Sequence, residues 1–170
     1  VSQIIEARTL FQKFGIKVFE KPGFEADDLI ATLASKFKDE KELKTVILTG
    51  DLDTLQMVED GKTVVRTFKK GVSETTTYDE KAVFERYGLQ PEQLVDYKAL
   101  VGDQSDNIPG VSGVGEKTAT SLLQKYGTLE SIYKSLKDNP KIEKKLQGTK
   151  NQAEFSRSLV ILKRDVPVSI

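Results

Sequence analysis

The sequence contains no cysteine and no histidine. Those absences remove disulfides, thiolate and imidazole zinc sites, cysteine nucleophiles and every histidine-centred triad. Any metal chemistry must rest on oxygen ligands, which suit magnesium, manganese or calcium. No apolar run approaches the roughly 20 residues of a membrane span, and no signal-peptide pattern opens the chain. The expectation is a cytoplasmic protein with no membrane partner. Net charge is missing too: 26 basic residues balance 26 acidic ones, so no global field draws the chain to nucleic acid. The balance hides an asymmetry, because residues 1–110 hold 15 bases against 20 acids while 111–150 hold 8 against 4. A local basic face is compatible with that split.

The 170 residues suffice for one sizeable domain with its own core, or for one domain and a small satellite. Residue 1 is valine and the opening residues already read as helix, so the expectation is a piece of a longer chain. Apolar spacing predicts a helix over SQIIEARTLFQKFG, using Ile4, Ile5, Leu10, Phe11 and Phe14, and then a short strand at IKVFE. EADDLIATLASKFK predicts an amphipathic helix, and TVILTG a strand buried on both faces. KTVVRTF and VSETTTY flank a turn and predict a hairpin. Beyond residue 79 the pattern is almost entirely helical. Strand–helix alternation in the first half argues for an α/β sheet with mainly parallel strands. The expected division is an α/β core over 1–100 and a helical subdomain over 101–170.

Three acid clusters punctuate this pattern. Glu25, Asp27 and Asp28 open a helix; Asp51 and Asp53 follow the strand TVILTG; Asp103 and Asp106 close a helix and enter a glycine-rich loop. Each cluster alone is readily explained by helix capping or a polar turn. Their placement adds a second reading, since ligands of open α/β sheets collect at the carboxyl ends of strands. Brought together, unit charges about 4 Å apart would repel by roughly 4 kcal/mol per pair at an effective dielectric near 20. Such a pocket must raise its pKa values or hold cations. Two divalent ions, magnesium or manganese, about 3.5–4 Å apart would relieve it, and such a pair cuts phosphodiesters without histidine.

The third cluster runs into GVSGVGEKTA. Gly110 and Gly115 have the spacing of a P-loop, but Glu116 stands at its lysine position and Lys117-Thr118 come one residue late. No apolar strand precedes the glycines, which also argues against a dinucleotide fingerprint. The alternative is a hairpin between two helices. Gly110, Gly113 and Gly115 permit positive φ and close approach, and amides of Gly113 to Lys117 can point at a phosphate oxygen. Lys117 adds charge, and no base need be read.

EADD, the Gly-Asp-x-Asp after a strand, and GDQSDNIPGVSGVGEKTA, in that order, resemble the structure-specific 5′-nucleases. The chain is most similar to the 5′→3′ exonuclease domains of bacterial DNA polymerases of type I. The likeness extends through YGLQPEQLVDYKALVGD to RDVP and so covers essentially the whole chain. It implies a PIN-like fold with a helix-hairpin-helix element, and hydrolysis of DNA near a 5′ end or flap at a single-strand/duplex junction. It also implies a monomer near the bacterial nucleoid and a covalently linked polymerase region. By resemblance, Glu25 and Asp27 are ligands of a first metal, and Asp51, Asp53 and Asp106 of a second. Asp28 and Asp103 bind directly or through water. Gly110, Gly113, Gly115, Lys117 and Thr118 fall in the duplex-contacting hairpin, which in this family often holds a monovalent ion such as potassium.

Two departures stand out. Members carry an earlier segment with further metal-binding aspartates and a basic arch, so residues 1–170 alone are expected to bind duplex with weak or no cleavage. Leu52 stands where many members have a basic residue, which implies altered phosphate contact. Two rival readings use the same residues differently: a non-catalytic duplex-binding module, and a structural ribonuclease-like partner of a polymerase.

Overall fold

A computed structural model describes residues 2–71 and 73–169. The chain divides into two compact units, Val1–Lys36 with Leu162–Ile170, and Phe37–Ile161.

In the smaller unit, α1 (Ser2–Lys13) ends near Gly15, whose φ of 74° is the left-handed conformation that glycine permits. Leu10, Phe11 and Phe14 remain exposed on it. The expected strand at IKVFE does not form: residues 16–20 are irregular. Five β-prone residues make a strand only when a neighbouring strand takes up their backbone groups. Next comes α2 (Ala26–Lys36), with Asp27 and Asp28 in its first turn and Lys36 in its last, each favourable to the helix dipole. The C-terminal RDVP segment ties back to it. Thr32 Oγ1 accepts a hydrogen bond from Val166 N (3.1 Å), and Lys36 Nζ donates to Val168 O (2.8 Å).

The larger unit holds a three-stranded sheet in the order β1-β2-β3. β1 (Thr45–Leu48) pairs in parallel with β2 (Thr63–Lys70), and β2 pairs antiparallel with β3 (Glu74–Tyr78) as the expected hairpin. β1 differs from its two-sided expectation, since Ile47 is buried while Val46 and Leu48 are exposed. A 3₁₀ turn (Leu52–Met57) follows β1, capped by Asp51, whose side chain accepts from Asp53 N at 2.8 Å. Then α3 (Glu80–Tyr87) runs from the Asp79 cap to Gly88 in the left-handed conformation.

The remaining helices are α4 (Leu94–Val101), α5 (Glu116–Tyr126), α6 (Leu129–Lys134), α7 (Pro140–Leu146) and α8 (Lys150–Val160). Their core includes Leu100, Leu123, Leu129, Ile132 and Val160, all nearly or fully removed from water. One acid sits within it. Asp96 of α4 accepts from Leu129 N at 2.8 Å and pairs with Arg157 Nε of α8 at 3.0 Å, in a geometry too bent for a hydrogen bond. Burial pushes its carboxyl up from the ordinary value. A buried carboxylate with a helix-start amide and one cation pins α4, α6 and α8 in a single register. Among the described residues no helix is long and apolar enough to cross a membrane.

Candidate metal and nucleic-acid site

The 3₁₀ turn after β1 and the loop after α4 meet in one open cavity of about 530 Å³. The loop is built by its own backbone. Asp103 N donates to Ile108 O (2.9 Å) and Ile108 N to Asp103 O (2.8 Å), which closes residues 103–108 into a tight excursion. Within it Asn107 adopts a φ of 56°, a left-handed conformation that asparagine tolerates better than most side chains. Asp103 Oδ1 accepts from Ser105 N at 2.9 Å and from the Ser105 hydroxyl, fixing the carboxylate. Ligand oxygens of Asp53, Asp103 and Asp106 then lie within 4.8 Å of one another. Asp53 and Asp103 are half-buried and Asp106 is exposed.

A residue absent from the sequence-based set sits among them. Lys98 Nζ donates to Asp103 Oδ2 at 2.8 Å and pairs closely with Asp53 Oδ1. Three carboxylates and one ammonium give this cluster a formal charge of −2 (−3 + 1). The Lys98 ammonium first, then Ser105, hold the Asp103 carboxyl down at about 2. The sequence did carry a signal for Lys98: it is the one cation of the stretch LVDYKALV, and its neighbours Tyr97, Ala99 and Leu100 are buried. A lysine surrounded by core positions must find a counter-charge.

The set of donors fits a hard divalent cation. All are carboxylate oxygens, they come from two separated segments, and an ammonium already lodges between two of them. Asp51 lines the same cavity, but its carboxylate caps the 3₁₀ turn and does not belong to the close trio. Glu25, Asp27 and Asp28 belong to the smaller unit, where Glu25 is exposed and Asp28 Oδ1 accepts from Lys163 N at 2.9 Å.

One consequence is measurable without metal. A carboxyl held below its unfolded value adds stability above that value and loses it as pH falls through the folded one. For Asp103 that window runs from about pH 4 down to about pH 2. In the metal-free Lys98→Met variant the Asp103 carboxyl should titrate higher than in the wild type, and its share of the acid-induced stability loss should shrink. Carbon-detected titration of the aspartate side chains reads this directly. An Asp103 resonance unmoved by the substitution would contradict the pairing.

Past the acid loop the chain turns into the glycine hairpin. Val111 and Val114 are buried beneath it, at 3% and 5% exposure, so the residues between them face outward. Gly113 has a φ of 77°, whereas Gly115 is extended at −96° and so does not use the left-handed freedom expected of it. Gly115 is the N-cap of α5 and offers no side-chain cap, which leaves the first amides of that helix open to an external acceptor. Lys117 is exposed and Thr118 half-buried just beyond.

Gly110 behaves differently. Its N–H donates to Ser156 Oγ (3.2 Å) and its carbonyl accepts from Gln152 Nε2 (2.8 Å), so both backbone groups are engaged within the protein. A Cβ on Gly110 would fall 2.3 Å from Gly102 N. Its requirement for glycine thus comes from close backbone packing, which locks the end of α4 against the hairpin.

The chain belongs to the 5′-3′ exonuclease family: residues 1–88 match its N-terminal resolvase-like domain and residues 89–170 its C-terminal SAM fold. The fold is therefore the expected one, an α/β resolvase-like, PIN-like domain with a helical helix-hairpin-helix part. The chain is 44% identical over 172 residues to DNA polymerase I of Caldicellulosiruptor bescii, covering 99% of this chain and 20% of that protein. It is 42% identical over 166 residues to DNA polymerase I of Bacillus subtilis, covering 96% of this chain and 18% of that one. It thus spans about a fifth of the length of the curated relatives it matches.

Among solved structures, T5 5′-exonuclease with zinc bound superimposes with a TM-score of 0.72 at 24% identity, over 87% of this chain and 54% of that one. The T5 D15 flap endonuclease in complex with DNA and metal ions gives 0.73 at 23%, over 89% and 55%. The catalytic core of Rad2 in complex with DNA substrate gives 0.57 at 24%, over 98% and 51%.

Proposed function

We propose that this chain is the metal-dependent nuclease part of a 5′→3′ exonuclease, hydrolysing DNA phosphodiesters near 5′ ends or flaps at single-strand/duplex junctions. The observation that carries the reading is the convergence of Asp53, Asp103 and Asp106 from two separated segments, with a carboxylate oxygen of each within 4.8 Å of the others. Those three, with Asp51 from the same cavity, are the residues that would hold magnesium or manganese. Glu25, Asp27 and Asp28 enter the proposal as further ligands on their sequence pattern. Bound divalent ions would supply an activated water and charge stabilisation at the phosphate. The protein's own groups bind and orient: the carboxylates fix the cation positions, and Lys98 offsets part of their repulsion. The structurally similar T5 D15 flap endonuclease has been crystallised with DNA and metal ions, which agrees with this chemistry.

The hairpin supplies the second half of the function. Gly113, Gly115 and Lys117 present open amides and one ammonium to a duplex backbone phosphate, Thr118 adds a hydroxyl beside them, and Gly110 holds the hairpin in place. A potassium ion on the hairpin carbonyls belongs to the same proposal. So do a monomeric state, a place at the bacterial nucleoid, and a covalently linked polymerase region of the kind the curated relatives contain. Lys117→Ala should weaken duplex binding alike for all sequences and lower the salt slope by about one. Anisotropy titrations on two unrelated duplexes check this, and a loss confined to one of them would mean that bases are being read.

A second reading has one observation behind it. Because Lys98 already neutralises part of the trio, the acids could serve a duplex-binding module that performs no chemistry. A labelled 5′-flap duplex incubated with excess full-length protein, in place of residues 1–170 alone, separates the two. The nuclease reading expects cleavage that needs magnesium or manganese and stops in chelator; the module expects binding with no cleavage under any metal.

A further inference from the structure

A second cavity, of about 470 Å³, opens between α3, α4 and α5 on the hairpin side of the larger unit. Its walls include Arg86 and Tyr87 from the end of α3, Tyr97 from α4, and Glu116, Lys117 and Ser121 from one face of α5. Tyr87 also lines the acid cavity, so the two openings meet at that ring. The walls are braced: Gln124 Nε2 donates to Gly88 O at 2.8 Å and Thr120 Oγ1 to Tyr87 O at 3.4 Å, fastening α5 to the end of α3.

Three donors face this space. Arg86 is exposed, yet its guanidinium is oriented by Nη1 donating to Tyr78 Oη (2.8 Å) and by the Tyr78 and Tyr87 rings at 5.8 and 5.3 Å. Its N–H groups engage the Tyr78 hydroxyl and also Tyr87, which leaves the remaining ones able to meet an anion. Lys117 brings a second cation at the start of α5. Tyr97 is only 9% exposed, packs edge-on against Tyr87 with centroids 5.8 Å apart, and its hydroxyl has no hydrogen-bond partner among the described residues. The ring is buried while its hydroxyl opens on the cavity that Arg86 and Lys117 also line, a donor with no partner in the protein. Burial first, then the Glu116 carboxylate, push that phenol up to about 12, so it stays protonated and able to donate. Glu116 also subtracts one charge, which leaves the cavity at a formal +1 (two cations, one anion).

We propose that this cavity is a strand-binding subsite that seats one DNA backbone phosphate between Arg86, Lys117 and the Tyr97 hydroxyl, with Tyr87 guiding the same strand toward the acid cavity. The inference rests on the DNA-binding reading above and extends it. It names Arg86 and Tyr97 as positioning residues that the hairpin motif does not contain. The class of ligand follows from the walls: a phosphodiester suits two cations and a phenol donor, and its sugar suits the tyrosine edges. The subsite and the metal site would then hold the strand at two points, which fixes the phosphate to be cut.

The test is duplex binding by anisotropy in chelator, across a salt series, for the wild type, Arg86→Gln, Arg86→Lys and Tyr97→Phe. Arg86→Gln should lower the salt slope by about one, and Arg86→Lys should restore it. Tyr97→Phe keeps the ring and should weaken binding by about two- to tenfold at an unchanged slope, the loss of one hydrogen bond. Melting curves identify any variant that fails through folding, and in that case the charge-retaining Arg86→Lys and the isosteric Tyr97→Phe decide the matter. A wild type that binds while Arg86→Gln and Tyr97→Phe bind equally well overturns the subsite alone. A wild type with no affinity for duplex overturns the DNA-binding reading, and the subsite falls with it.

Discussion

Replacing Asp106 by asparagine in the full-length protein should reduce flap cleavage by at least about 10²-fold while leaving duplex affinity within about twofold. The expected split follows from where the residue sits. Asp106 is exposed at the tip of the 103–108 loop, and no bond of that loop's closure depends on its side chain, so the fold should not change. Asparagine keeps the shape and removes the charge, taking the formal charge of the trio with Lys98 from −2 to −1. Losing residues that merely support a metal ligand typically costs 10–100-fold, so losing a ligand should cost more. Asp53→Asn should do the same with a larger structural side effect, because it also strips Lys98 of one partner. Single-turnover cleavage of a labelled flap, run beside an anisotropy titration, gives both quantities. Equal losses of cleavage and binding would mean that Asp106 grips DNA and has no part in the chemistry.

Gly110→Ala should destabilise the protein by about 2–4 kcal/mol, whereas Gly113→Ala, three residues further on, should cost about 1. Both glycines have positive φ, 61° and 77°, so each substitution carries the left-handed penalty of roughly 1 kcal/mol. They differ in surroundings. A Cβ on Gly113 meets nothing within 4 Å, while one on Gly110 meets Gly102 N at 2.3 Å and Val101 C and O at 2.5 and 2.6 Å. These are backbone atoms that no rotamer change can move, and overpacking of that kind typically adds about 1–3 kcal/mol. Against the roughly 5–15 kcal/mol that hold a domain together, the loss is large. Denaturant titration of the two variants resolves it. A Gly110→Ala protein as stable as Gly113→Ala would remove the packing explanation.

How much of this was legible beforehand depends on how local each signal is. α3 could be read from its ends, since Asp79 and Gly88 are the cap and terminator that the sequence displays. The β2–β3 hairpin announced itself by alternation about a glycine turn. IKVFE failed because strand formation is decided by a partner strand, which a local window cannot reveal. β1 was identified as a strand, but its one-sided burial depends on what covers each face. In the site, Asp53, Asp103 and Asp106 could be paired because two distinct motifs carried them. Asp51 lines the same cavity as Asp53, and its Oδ1 also caps the 3₁₀ turn, a local role that a cap position does display in the sequence. Lys98 was passed over because attention to acids hides the cation that balances them. Gly110 carried a correct requirement for glycine with an unexpected cause: the backbone of Gly102 is what approaches it.

The most direct measurement is a manganese titration followed by electron paramagnetic resonance, on the wild type, Asp106→Asn and Asp53→Asn. The account predicts saturable binding by the wild type that weakens by at least about 10²-fold in both variants, in keeping with loss of a ligand. Manganese that fails to bind the wild type, or binds all three alike, would contradict the assignment of this trio as a metal site.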